Sequence, residues 1–407
     1  MNIGIVTTWF ERGAAYVSRQ YMEVLQQNHN VFIYARGGEK FAKNDKNWNL
    51  SNVTWDTFNI YLGATSLNLT NFKKWIKDNN IELVLFNEQH WWLPVIECKK
   101  MGIKTASYID YYTVITIPFF EIYDALICNT KRHYSVFEWH KNANYIPWGT
   151  NTELFQYKEQ PHNDNKIKFF HSCGYDPYRK GTDQLIKAFA KLNGDKQLII
   201  HSQKKLEIDF PELKPVITDL IDKNELIIQA ETIGIPGLYY MGDVYVYPAR
   251  LDGVGLTMAE AISSGLPIIV PDNQPMSEFA SDKSCSKKVS LHRLYAEDDR
   301  YYWPRCLVKI DDLAAAMQFF IDNNNNINEY KKLARKYAEN NLNWYKNAEK
   351  LPNIVENIQY SYNQNIIDKI LNYEKKEKTL PYQSWLKIFK KIDVELRHRR
   401  RMKKFTR

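Results

Sequence analysis

The sequence has no apolar run near the length of a membrane-spanning helix; stretches such as 83–86 and 267–270 are of strand length. Its five cysteines, Cys98, Cys128, Cys173, Cys285 and Cys306, form no C-x-x-C pair, so neither a zinc site nor a disulfide framework is implied. Reduced thiols fit a reducing cytoplasm. Residues 2–7 read directly as a strand, with no basic region and apolar core before them, so a secretory leader is not expected. No segment repeats, which excludes a solenoid or propeller.

The 407 residues are 44% hydrophobic and 25% charged, an ordinary globular composition long enough for two domains with a remainder. Each half can bury its own core. Aromatics reach 14%, and many, including Trp91, Trp92, Tyr108, Tyr111 and Tyr112, fall early in the chain, where core and interface packing accounts for them. The charge is uneven. Residues 374–407 carry thirteen Lys and Arg against four Asp and Glu, so the formal +8 of the whole chain sits in its end. That asymmetry bears on location and partners, not on catalysis.

Through residue 150, short β-branched runs at 2–7, 30–35, 82–86, 104–108, 124–128 and 144–147 alternate with helix-like stretches such as 15–27. This predicts a parallel sheet covered on both faces. Turn chemistry at 147–151 and a polar stretch at 159–165 mark the linker. Alternation restarts with strands at 166–172, 197–201, 225–229, 243–247 and 267–270 and helices at 183–192 and 257–264. The chain is helical from about Ile310, with the four asparagines of 323–326 as a loop. The expected fold class is α/β, two Rossmann-like domains facing across a cleft: 1–150, then 151–345. A helical segment at 346–373 is expected to cross back to the first domain, and a basic tail follows at 374–407. Ligands of open α/β sheets bind beyond the carboxyl ends of the strands, which places the site between the two sheets.

Three stretches carry chemistry. In the first, the strand Val244-Tyr245-Val246-Tyr247 leads to Asp252-Gly253-Val254-Gly255-Leu256 and a helix near Thr257. Glycines let backbone N–H groups approach a ligand, and the helix start adds a positive dipole end, which suits an anion. Glu260, read as lying on the first turn of that helix, suits vicinal hydroxyls such as those of ribose, and Asp252 another polyol. Gly265 suits the helix stop. In the second stretch, Arg179 and Lys180 occupy a strand-to-helix corner after Gly174, where cations neutralise a diphosphate. In the third, Gly13-Ala14-Ala15 opens the first helix and lets its loop come close to a ligand. Taken singly, each also admits a structural reading: a common turn, two surface cations, an ordinary helix start.

Together these residues resemble the GT-B glycosyltransferases. Tyr178-Arg179-Lys180-Gly181-Thr182-Asp183 is similar to their R-K-G corner. The stretch 246–261 followed by Gly265-Leu266-Pro267 resembles the E-x7-E region of retaining family 4 enzymes, and Ile146-Pro147-Trp148-Gly149-Thr150 resembles their interdomain segment. The resemblance covers the second domain well and the first thinly. It implies that Lys180, with Arg179, neutralises the donor diphosphate. Glu260 would hold the ribose and Asp252 the transferred sugar, while the N–H groups of Gly253, Val254, Gly255 and Leu256 line the donor and Gly13 approaches the diphosphate. Asp252 stands where relatives carry Glu, one methylene shorter. At the position of a frequent histidine stands Asp110, with His90 and Glu88 as further acceptor-side candidates; Asp252, Lys180 and Asp110 are the catalytic candidates.

The implied reaction moves a sugar from a UDP- or GDP-type nucleotide sugar to a hydroxyl of a glycan or lipid-linked acceptor with retention, the leaving diphosphate oxygen helping to take the proton. The absence of any Asp-x-Asp triplet weighs against the metal-dependent GT-A class, so no metal or other cofactor is expected. In the tail, Leu380, Trp385, Leu386, Ile388, Phe389, Ile392 and Leu396 interleave with Lys387, Lys390, Lys391 and Arg397. Two readings stand for 380–407: a basic amphipathic helix on an anionic membrane, peripheral on the cytoplasmic face, or a helix packed on the domains with a free cationic end. A nucleic-acid partner for the tail is the rival that leaves the cleft motifs unexplained, and none is expected; an epimerase-like nucleotide-sugar enzyme is the rival on the same fold.

Overall fold

The computed structural model describes residues 1–36, 42–57, 65–158, 166–231, 233–280 and 285–378. The basic stretch 380–407, with both readings of it, lies outside the described residues, as does part of the polar linker.

The first sheet contains β1 (Asn2–Thr7), β2 (Asn30–Ala35), β3 (Val53–Trp55), β4 (Leu83–Phe86), β5 (Lys104–Tyr108), β6 (Ala125–Cys128) and β7 (Ala143–Tyr145), all parallel, in the order β3-β2-β1-β4-β5-β6-β7. Helices α1 (Gly13–Leu25), α2 (Leu69–Asp78), α3 (Leu93–Lys100) and α4 (Lys131–Phe137) join the strands. In α1, Ala14, Val17, Ser18, Tyr21, Met22, Val24 and Leu25 are buried at helical spacing, which fixes the face it lays on the sheet.

The second sheet contains β8 (Ile167–Gly174), β9 (Lys196–Ser202), β10 (Leu226–Gln229), β11 (Val244–Val246), β12 (Ile268–Pro271) and β13 (Ser286–Val289), again parallel, in the order β10-β9-β8-β11-β12-β13. Its helices are α5 (Thr182–Phe189), α6 (Leu206–Asp209), α7 (Lys214–Asp222), α8 (Leu256–Ser263) and α9 (Met276–Phe279). The central strand β11 is buried throughout and reads as a continuous apolar run, while its neighbour β8 buries Ile167, Phe169, Phe170, His171 and Cys173. An antiparallel hairpin follows, β14 (Leu291–Tyr295) and β15 (Arg305–Val308). Then come α10 (Ile310–Asp322), α11 (Ile327–Asn341), α12 (Trp344–Asn347), α13 (Leu351–Glu356) and α14 (Gln364–Lys378). No helix among the described residues is long and apolar enough to cross a membrane.

The sequence pattern does not reveal β3, β13 or the hairpin. β13 reads Ser-Lys-Lys-Val and β14 Leu-His-Arg-Leu-Tyr, edge segments whose charged side chains hide the strand period.

One hydrophobic cluster runs from Ile3, Tyr21 and Leu85 through Ile146, Trp148 and Phe155 to Phe170, Tyr245 and Ile268, so the two sheets share a continuous core. The chain then returns to the first domain. Trp344 Nε1–H donates to the Gln20 carbonyl at 2.9 Å, and Ser361 N–H and Oγ–H donate to Asp124 Oδ1 at 2.8 and 2.9 Å. The other Asp124 oxygen holds buried Lys99 at 2.5 Å. Ile366, Ile367 and Ile370 of α14 enter the core of the first domain. α14 runs past residue 373, where the basic tail was expected to begin; Glu374 is buried and its Oε1 accepts the Trp92 N–H at 2.9 Å.

In the second domain, Arg250 forms a two-pronged pair with Asp183 at 2.7 and 2.8 Å, both side chains almost fully buried, and lies over the Tyr178 ring at 4.0 Å. Arg250 N–H also donates to the Arg179 carbonyl at 2.8 Å, so this pair ties the loop after β11 to the start of α5. Asp183→Ala leaves the guanidinium buried without its anion. It is expected to cost about 3–5 kcal/mol in urea unfolding; a cost under 1 kcal/mol would show that the guanidinium escapes to water.

Candidate active site

The strand-to-helix corner of the second domain is set by a glycine. Gly181 has φ +75°, and a Cβ there would sit 2.0 Å from the Pro248 carbonyl oxygen, so the β8–α5 corner and the loop after β11 meet backbone to backbone only because this position is bare. His171, fully buried in β8, locks the same junction: Nδ1–H donates to the Val246 carbonyl at 2.8 Å and Nε2 accepts from the Thr182 hydroxyl at 2.9 Å. Burial lowers its pKa to about 4, which keeps the ring neutral as that bonding requires.

The junction brings Lys180 and Asp252 together. Lys180 Nζ lies 2.7 Å from Asp252 Oδ2 and 4.8 Å over the Tyr247 ring, and the Tyr247 hydroxyl bonds to the same carboxylate oxygen. Burial opposes the Asp252 charge, but Lys180 and Arg179 overcome it and hold the carboxyl well below the ordinary range. Burial pulls the Lys180 ammonium down and Asp252 pushes back. Arg179 stands next to them, its Nη1–H donating to the Leu251 carbonyl at 3.2 Å and its Nε to Asp176 at 3.3 Å.

A turn with two glycines follows. Gly255 has φ +86°, and a Cβ there would strike Met258 at 2.3 Å; a Cβ on Gly253 would meet nothing within 4 Å. Gly253 N–H donates to Asp252 Oδ1 at 2.8 Å. The N–H groups of Val254, Gly255, Leu256 and Thr257 find no acceptor among the described residues. The helix opens at Leu256, so Glu260 lies on its second turn, not its first, and the first turn carries no acid. Spacing alone misplaced it because the left-handed Gly255 starts the helix a residue before Thr257. Glu260 accepts the Tyr239 hydroxyl at 2.5 Å, and burial raises its pKa to about 7.

From the first domain, Gly13 faces this turn: a Cβ on it would lie 3.1 Å from Leu256 Cδ1. Glu88, His90 and Asp110 gather beyond β4 and β5. His90 Nε2 is 3.5 Å from Asp110 Oδ2. Glu88, held at φ +51°, has its pKa raised by burial and by Asp110, against Arg36 and Arg12. Thus the acceptor-side candidates form one cluster rather than alternatives. Among the described residues no three His, Cys, Asp or Glu side chains stand together as metal ligands.

Four further residues join the two sides, and no motif marks them. Trp303, in the loop of the β14–β15 hairpin, donates Nε1–H to the Tyr112 hydroxyl at 2.6 Å; Tyr112 donates to His133 Nδ1 at 2.9 Å; His133 Nε2–H donates to the Gly253 carbonyl at 3.1 Å. A carbonyl only accepts, so the direction of the chain is fixed. Burial lowers the His133 pKa to about 4. Glu278 of α9 accepts the N–H groups of Lys131 and Arg132 at 2.7 and 3.0 Å, capping α4 across the domain boundary. The partners that cross the domain boundary lie 120 to 191 positions apart, so only the fold pairs them. The one hint in sequence is the aromatic run Tyr301-Tyr302-Trp303 inside a charged loop.

Two facing parallel sheets, a cationic corner and an open glycine turn can be set against known proteins. The family described as glycosyl transferases group 1 matches residues 155–344. The match spans just under half of the chain, and those residues are similar to a glycosyl transferases group 1 domain. No curated protein matches the chain in sequence. Among solved structures, a glycosyltransferase from Rickettsia africae is 16% identical with a TM-score of 0.68, over 88% of this chain and 99% of that one. Anabaena HepE in complex with UDP is 14% identical with a TM-score of 0.68, over 87% and 99%. The pneumococcal O-GlcNAc transferase GtfA in complex with UDP and GlcNAc is 12% identical with a TM-score of 0.64, over 89% and 99%. At such identities the likeness is one of fold, and the fold is GT-B.

The second domain therefore meets the first through a neutral histidine. Nitrogen-detected NMR of the His133 ring is expected to show the Nε2–H tautomer and no titration from pH 8 to pH 5. A midpoint near the free histidine value of about 6.5 would mean that the contact to Gly253 is not made in solution.

Proposed function

We propose that the protein transfers a sugar from a nucleoside-diphosphate sugar to a hydroxyl of a glycan or lipid-linked acceptor, with retention and without a metal. The observation that carries this reading is the set of N–H groups without acceptors from Val254 to Thr257 at the start of α8, next to Asp252 with its Lys180 and Arg179. A diphosphate fits there: N–H groups and a helix dipole on one side, two cations on the other. Asp252, ionised at any physiological pH, is suited to accept hydroxyls of the transferred sugar. Glu260, deeper along α8, is suited to the ribose. The neighbours solved with UDP and a sugar support a uridine nucleotide as the donor.

The chain's own residues act by placement and charge. As the bond to the diphosphate breaks, charge grows on the leaving oxygen, and Lys180 and Arg179 stabilise it more than they stabilise the ground state. That oxygen then takes the proton of the acceptor hydroxyl, which approaches from the side of Asp110 and His90. The basic end supports a further placement, peripheral on an anionic membrane surface; removing residues after Thr379 is expected to abolish pelleting with anionic liposomes.

The donor is found by a thermal-shift and hydrolysis screen against UDP-, GDP-, ADP- and CDP-sugars. Stabilisation by one nucleotide family is expected, with activity unchanged in EDTA; loss of activity in EDTA would remove the metal-free part. Lys180→Ala is expected to lower kcat about 10²- to 10³-fold with the fold intact. Nucleotide release independent of any acceptor would favour an epimerase-like enzyme.

Glu260 supplies a pH test. The ribose hydroxyls donate to the carboxylate, so donor binding stabilises its ionised form. Donor affinity is then expected to rise from pH 6 to pH 8 through the Glu260 pKa of about 7. Glu260→Gln should be weaker at pH 8 and flat with pH. An unchanged profile in Glu260→Gln would remove Glu260 from the ribose.

A further inference from the structure

Next to the acceptor-side cluster lies a cavity of about 350 Å³, at the small end for a ligand site. Elements from three parts of the chain enclose it. The first domain supplies Gln89, His90 and Trp92 after β4 and Tyr111 and residues 113–116 after β5; the hairpin of the second domain supplies Arg300; α14 supplies Tyr373. Nothing in the donor reading uses it.

Three features of its lining point to one kind of occupant. The first is an aromatic surface. Trp92, Phe120 and Tyr373 form part of the wall, and the Tyr111 ring lies beside His90 at 4.8 Å with its other neighbour, Tyr301, stacked on it at 5.4 Å. The second is a buried acceptor without a donor. Gln89 is 6% exposed; its Nε2 donates to the carbonyls of Thr65 at 3.0 Å and Trp91 at 2.7 Å, which leaves Oε1 buried with no hydrogen-bond partner. Since both Nε2 bonds go to carbonyls, the orientation of the amide is fixed. The third is one cation, Arg300, on an exposed and braced tip. Its backbone is left-handed at φ +58°; Tyr111 Oη–H donates to the Asp299 carbonyl at 2.5 Å, and Arg305 pairs with Asp299 at 2.9 Å and Glu297 at 3.1 Å, below the tip.

We infer that this cavity binds the acceptor through a sugar ring bearing an anionic substituent, carboxylate or phosphate, and that Arg300 of the second domain selects the charge. The inference rests on the glycosyltransferase reading for its location, beside His90 and Asp110. A sugar ring presents C–H faces to the aromatic wall and, with a small shift of the lining over Gln89, a hydroxyl to its Oε1, which is closed to solvent in this structure. An alkyl chain would leave that oxygen buried and unpaired, which is costly. Arg300 forms a fork for a carboxylate or phosphate and has no carboxylate partner of its own among the described residues. Because Arg300 arrives from the second domain, the acceptor site is complete only with the hairpin docked on Tyr111 and Tyr112.

The test uses the full chain with the nucleotide that the donor screen selects. Binding of 4-nitrophenyl β-glucuronide, 4-nitrophenyl β-glucoside and decyl phosphate is measured by calorimetry. The glucuronide is expected to bind about 3- to 10-fold more tightly than the glucoside, the range for one partly exposed charge pair. Arg300→Gln, a change at an exposed tip, should erase that preference while glucoside and nucleotide binding stay the same. Gln89→Leu should weaken both glycosides with its melting temperature checked alongside. Equal binding of glucuronide and glucoside, a preference that survives Arg300→Gln, or tighter binding of decyl phosphate than of either glycoside would overturn the inference. Nucleotide binding in the same samples separates the two claims: its absence in the natural protein sinks the donor reading, whereas its presence without glycoside selectivity sinks only this one.

Discussion

The structure around the cleft depends on keeping the Asp252 carboxylate charged while buried. An ion taken from water without partners would cost several kcal/mol and would neutralise itself by taking up a proton. Here it is met by Lys180, by the Tyr247 hydroxyl and by the Gly253 N–H, with Arg179 close behind. Each partner imposes its own demand. Lys180 reaches Asp252 only if the β8–α5 corner touches the loop after β11, and that contact requires a residue without a side chain at Gly181. The corner stays in place because His171 bridges β8, β11 and α5, and because Arg250 and Asp183 pair beneath it. A chain of local needs thus converts one acid into a fixed turn with its N–H groups free.

A second layer of constraint joins the domains. The cleft of a two-domain protein is free to hinge unless the interface is large or strongly bonded. In this protein the interface carries directed bonds: Glu278 on the N–H groups of α4, the Trp303–Tyr112–His133–Gly253 chain, and the Tyr301 hydroxyl on the Asp110 carbonyl at 3.1 Å. The hairpin loop that supplies Tyr301 and Trp303 connects the glycine turn, through Tyr112 and His133, with Asp110. The glycine turn and the Glu88–His90–Asp110 cluster are therefore mechanically linked, since a shift of the hairpin moves both the His133 contact and Arg300.

Much of this was legible from the residues in order. The central strands announce themselves because both faces are buried, and the R-K-G corner and the glycine turn announce themselves because backbone approach to a ligand tolerates few residue types. Spacing placed Glu260 a turn too early, since one left-handed glycine resets the helix start. Edge strands stayed hidden for want of an apolar period. His133 and Glu278 carry no local signal at all: a histidine in Lys131-Arg132-His133 and an acid in a short helix look like any others until the fold sets them against Gly253 and the start of α4.

What the sequence determined by itself was the alternation of strand and helix, the two sheets, and the residue types at the donor turn, because these follow from periodicity and from steric limits on the backbone near each residue. What only the tertiary structure decided was how the two domains touch, the merging of Glu88, His90 and Asp110 into one cluster, and a cavity shared by β4, β5, the hairpin and α14. The domain contact and the cavity depend on positions more than a hundred residues apart and the cluster on β4 and β5 lying side by side, and no local pattern in a chain encodes which distant neighbour a buried polar group will find.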